Sequence, residues 1–215
     1  MVMNEVLRLQ AVFETPSLDN RYYTAWNIPV FKPFAFIRLW GEMNEAEISL
    51  FVMQLADYNQ IYLNNDLSVI IQLILAKKGL ILPGGIAAIS TDKEIQPSCC
   101  SGLESWREWA NFLKTEQAPW WGHDPSPWVE LRGETVRFWS DGGLELEPAR
   151  KAFYLEMSRS QFKGAIASVQ ADLRGFLSAL GNWGMAKEIP ETPALCAKID
   201  QCFKIIPAWG RSRHH

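Results

Sequence analysis

Between Ser158 and Gly181 the chain places Phe162, Ile166, Val169, Leu173, Phe176, Leu177 and Leu180 at steps of three and four. Only an α-helix gathers that spacing on one side, and a stripe so long and apolar has to be covered by other parts of the chain. Ser158 with Gln161 reads as a capping box at the start of this helix, which is expected over about 160–180. Gly164 and Gly175 each cost about 1 kcal/mol relative to alanine inside a helix. Close packing against a sheet would explain them, and Gly181 and Gly184 read as the stop.

Alternating segments supply that sheet. Leu7, Leu9, Ala11 and Phe13 alternate with wetter neighbours, and Phe34 to Trp40 is apolar on both faces, as a central strand would be. Leu80 to Ile89, with Gly84-Gly85 inside it, reads as strand, tight turn, strand, with Thr91-Asp92-Lys93 as the next turn. Val129–Leu131 and Val136–Trp139 form a hairpin around Gly133, and Phe153 to Met157 a further strand. Gln60 to Leu63 is a candidate short strand.

Further helices are expected after Asn44 with Glu47, after Ser101 with Glu104 (residues 102–114), and from Thr192 to Ile205. Asp66 or Ser68 can open another, running to Lys78 with Gly79 as a left-handed stop, while Val69-Ile70-Ile71 leaves a buried strand open there. Hairpins mixed with helices point to an α+β fold, a mostly antiparallel or mixed sheet packed by helices on one side. One domain over 1–215 is expected, with a sub-division near residue 143 as the alternative.

Composition excludes several classes. The chain has 215 residues, 48% of them hydrophobic and 21% charged, which is ample for a core and unlike a disordered or collagenous chain. A net charge of −3 without a basic run argues against nucleic acid as a partner. The first ten residues lack a signal-peptide pattern, and the strongest apolar run, Val69 to Ala76, falls far short of the roughly 20 residues a membrane span needs. A cytoplasmic protein without a membrane partner is expected. No dinucleotide fingerprint, P-loop or Gly-x-Ser-x-Gly elbow is present, so no cofactor is implied.

Six of the ten tryptophans lie within residues 98–141. Helix packing accounts for Trp106 and Trp109, and the hairpin for Trp139. Trp120, Trp121 and Trp128 instead flank the loop Gly122-His-Asp-Pro-Ser-Pro127, stiffened by Pro119, Pro125 and Pro127. Indoles on a stiff loop suit an interface. The first expectation is therefore a non-catalytic domain that engages another protein through residues 118–128, with Trp120, Trp121, His123, Asp124 and Trp128 as contacts. The opposing reading folds the indoles back into the end of the sheet.

Four cysteines do not make a disulfide scaffold. Adjacent Cys99 and Cys100 do not easily bond each other, and Cys196 and Cys202 lack zinc-knuckle spacing, so reduced thiols are expected. His123 is the only internal histidine, since His214 and His215 close the chain and receive no role. The second expectation is a small thiol enzyme: Cys99 or Cys100 as nucleophile beside a helix start, His123 as base and Asp124 as its orienter. A metal held by Cys99, Cys100 and His123 is a weaker variant, because no fourth ligand presents itself, and no metal is expected. A third expectation is a subunit of a larger assembly using Asn27 to Trp40.

Pro97-Ser-Cys-Cys-Ser-Gly-Leu-Glu-Ser-Trp-Arg-Glu-Trp109, Gly122-His-Asp-Pro-Ser-Pro-Trp128 and Val136-Arg-Phe-Trp-Ser-Asp-Gly142 together resemble a group of uncharacterised bacterial proteins similar to toxin-immunity-type proteins. The resemblance covers about 45 residues and carries over no catalytic residue. It implies a non-enzymatic cytoplasmic protein that binds and blocks a partner.

Overall fold

A computed structural model describes residues 7–17, 28, 30–64 and 66–206. Strand β1 (Arg8–Glu14) is followed by β2 (Phe36–Arg38), α1 (Glu45–Tyr58), α2 (Leu67–Ala76), β3 (Gly84–Ile89) and β4 (Glu94–Ile95). A 3-10 turn over Leu103–Ser105 leads into α3 (Trp106–Thr115). The second half holds β5 (Trp128–Arg132), β6 (Thr135–Trp139), β7 (Tyr154–Ser158), α4 (Arg159–Ala186) and α5 (Thr192–Phe203).

The fold is α+β and its described strand pairs are antiparallel, divided between two sheets of order β2-β1-β3-β4 and β5-β6-β7. The helix α4 joins them. It packs along β1, touches β6 and β7, and meets α1, α3 and α5. Its capping box at Ser158 and Gln161 forms as the sequence requires, and so does that of α1 at Asn44 and Glu47. Phe176 of α4 lies edge-on to Phe51 of α1 at 4.6 Å, and Phe51 in turn meets Phe13 of β1 at 5.7 Å. One apolar cluster continues from Leu9 to Ile205 and includes residues of both sheets.

Several local expectations are corrected. Phe34 to Trp40 is not a central strand: β2 spans three residues at a sheet edge, and Phe34 is exposed with φ +56°. Gly84-Gly85 does not turn; both glycines sit inside β3 with φ near +139° and +136°, because a Cβ on Gly84 would lie 2.2 Å from the Val12 carbonyl oxygen of β1. Gly79 has no left-handed φ, and α2 ends at Ala76 with Lys77 extended. Val69-Ile70-Ile71 is helical, and Gln60 to Leu63 is loop. Ser101 does not cap; Glu104 accepts from Leu82 N–H at 3.3 Å, and a 3-10 turn precedes α3. Gly181 and Gly184 lie inside α4, where Gly184 admits the Thr192 side chain of α5. Gly175 lets the backbone of Gly41 approach, whereas Gly164 faces open space.

Candidate functional site

Residues 98–99 run antiparallel to 121–123 as a short bridge outside both sheets. Ser98 N–H donates to Trp121 O at 3.0 Å, His123 N–H to Cys99 O at 3.1 Å, and the Ser98 hydroxyl to His123 O at 2.7 Å. Gly122 permits this approach with φ +104°; a Cβ there would fall 2.6 Å from the Ser98 carbonyl group.

The bridge is anchored from below by Trp121. Its ring is 1% exposed, lies edge-on to Trp109 at 4.7 Å, and donates Nε1–H to Ile86 O of β3 at 2.6 Å. Trp121 is therefore core and not a contact residue, because a buried indole satisfies its one donor on the strand it covers. Trp128 is half-buried and stacks on Trp139 across β5 and β6 at 6.4 Å. Only Trp120 of the three loop indoles is well exposed, at 43%. It is fixed from both ends, its N–H on the Glu108 carboxylate and its Nε1–H on Cys100 O, each at 3.0 Å.

The bridge brings the sequence-predicted thiols and imidazole together. One ligand-capable atom from each of Cys99, Cys100 and His123 lies within 4.8 Å of the others. The two Sγ atoms are 3.5 Å apart, and His123 Nδ1 is 2.9 Å from a carboxylate oxygen of Asp124. Neighbouring side chains ordinarily diverge. Here the second residue of each pair is left-handed, Cys100 at φ +64° and Asp124 at φ +57°, and each turns its side chain back onto its neighbour's. A left-handed cysteine is strained in a way a left-handed aspartate is much less so.

The electrostatics follow from the contacts. The contact between the two sulfurs raises the Cys99 pKa and lowers that of Cys100; His123 lowers Cys100 further. The Asp124 carboxylate raises the His123 pKa, with Cys100 adding to it. Both sulfurs are exposed to solvent.

Three residues of the surroundings carry no site role in the sequence reading. Glu14 at the end of β1, Tyr58 at the end of α1 and Glu104 of the 3-10 turn all act electrostatically at or beside the thiols. Burial raises the pKa of Glu14. Burial likewise raises Tyr58, and negative charge on Cys100, Glu104, Cys99 and Glu14 adds to that. No spacing rule connects these positions, since they meet only when the ends of β1 and α1 arrive at the same edge.

The same trio is the one described group with metal-ligand character. It provides three donors where a closed structural zinc site takes four, and the adjacent carboxylate of Asp124 is already engaged by the imidazole.

The Asn27 to Trp40 segment lies partly outside the described residues; within it Val30 and Phe34 are exposed while Phe31 and Leu39 are buried. His214 and His215 also lie outside the described residues. A cavity of about 570 Å³ between β1, β7 and α4 contains the Arg38–Asp172 ion pair at 2.8 Å and shares no residue with the thiol site. No helix among the described residues is long and apolar enough to cross a membrane. No family model matches the chain, and no curated protein or solved structure shows significant similarity to it.

Proposed function

We propose that this chain is a thiol-dependent protein in which Cys100 reacts as a thiolate, His123 exchanges the proton and Asp124 holds the imidazole. The observation that carries this reading is the convergence of the two sulfurs and the imidazole within 4.8 Å, with Nδ1 of that ring fixed to a carboxylate at 2.9 Å. An acid on one imidazole nitrogen leaves Nε2 to serve the nucleophile, the logic of thiol–imidazole catalysis generally. The four unpaired cysteines suit a reducing compartment such as the cytoplasm.

The partner-binding reading loses one of its contact residues, Trp121, which is buried. The exposed ring that remains, Trp120, has its centroid 6.4 Å from that of His123 and so borders the thiol site.

Iodoacetamide labelling across pH, followed by peptide mapping, tests the proposal. Cys100 is expected to label with a midpoint below the roughly 8.5 of an ordinary thiol, and Cys99 only at higher pH. His123→Gln should move the Cys100 midpoint upward. Slow labelling of both thiols with ordinary midpoints, unchanged by His123→Gln, would overturn it.

A further inference from the structure

We propose that Cys99 is the resolving thiol of Cys100, so that the pair works as a dithiol that reduces low-molecular-weight disulfides and closes reversibly on itself. This rests on the reading of Cys100 as the reactive thiolate. It adds a reaction class and a role for Cys99, which a simple nucleophile–base–acid set leaves unused.

Three observations support it. The sulfurs already stand 3.5 Å apart, in contact with each other. Both are exposed, so a small disulfide can reach either one. Trp120, whose Nε1–H is held by Cys100 O, and the bridge to His123 fix the backbone on both sides of the pair.

The steps balance. The Cys100 thiolate attacks one sulfur of a disulfide R–S–S–R, forming Cys100–S–S–R and expelling R–S⁻, which takes the proton of the His123 imidazolium. The neutral imidazole then removes the proton of the Cys99 thiol. The Cys99 sulfur attacks Cys100 Sγ, breaking the mixed disulfide and expelling the second R–S⁻, to which His123 returns the proton. Two electrons and two protons pass from the dithiol to the substrate, leaving two R–SH and a Cys99–Cys100 disulfide.

That product is also a labile one. Neighbouring Cα atoms are about 3.8 Å apart, closer than the roughly 4.4–6.8 Å usual for disulfides. A ring closed between neighbours is therefore strained, and strained, exposed disulfides are the readily reduced, catalytic or regulatory kind. Ambient thiols reopen it, which suits a turnover device better than a structural bond.

Oxidised glutathione is the probe. The full-length reduced protein is exposed to it, quenched with acid, and peptide-mapped by mass spectrometry without reduction. In the wild-type protein the peptide holding residues 99 and 100 is expected to lose two hydrogens, with glutathione released in its thiol form. In Cys99→Ser the same peptide should instead retain glutathione on Cys100. Persistence of the glutathione adduct on Cys100 in the wild type would overturn the resolving role while leaving Cys100 reactivity intact. Absence of any change at this peptide in both proteins would overturn the reactive-thiolate reading too.

Discussion

Cys100 holds a backbone conformation that costs an L-residue about 1–2 kcal/mol, and that conformation is what turns its sulfur towards Cys99. Cys100→Gly should therefore raise stability by about 1 kcal/mol, read as a higher denaturant midpoint at unchanged slope, while abolishing labelling at this position. A loss of stability would show that the thiol itself packs usefully. Asp124→Asn removes the main cause of the raised His123 pKa. The imidazole should then titrate lower, and the Cys100 midpoint should climb part of the way it climbs in His123→Gln. Proton NMR of the His123 ring follows the first change and alkylation the second. Chemistry at this scale was legible as types and adjacency: two neighbouring thiols, one internal histidine, one acid beside it. Convergence was not, because nothing in the letters Cys-Cys or His-Asp shows that the second residue is left-handed.

Helix starts were the most legible elements, because a cap is local chemistry. Asn44 with Glu47 and Ser158 with Gln161 both form the boxes their spacing announces. Asn44→Ala should cost about 1 kcal/mol in chemical denaturation and leave alkylation of Cys100 unaltered. Glycine was misleading, because it was read as a break where tertiary contact uses it as a gap. Gly84 admits the Val12 carbonyl within a sheet, and Gly184 admits Thr192 within a helix. Gly84→Ala combines that overlap with a φ unsuited to a side chain and should destabilise by well over 1 kcal/mol, seen as a depressed melting temperature. A neutral substitution would mean that β1 and β3 can separate at no cost.

The whole molecule explains why a tryptophan-rich loop does not simply become a surface. Trp121 reaches under the bridge to β3, and Trp109 links it to Phe138 of the second sheet in a stack at 6.3 Å. The indole that ties the core together therefore also supports the strand carrying His123. Trp121→Ala should cost about 3–5 kcal/mol and, in whatever folded fraction remains, loosen the placement of His123 against the thiols. The sequence identified the class of fold and the candidate side chains, but their arrangement depends on contacts between Ser98 and His123, 25 residues apart. The proposed Cys100 thiolate is tested most directly by titrating the ultraviolet thiolate absorbance of the wild-type protein beside Cys100→Ser and His123→Gln. A step below the ordinary cysteine range, absent in Cys100→Ser and shifted upward in His123→Gln, is the predicted result. Ordinary alkaline titration in the wild type, with no shift in His123→Gln, would contradict it.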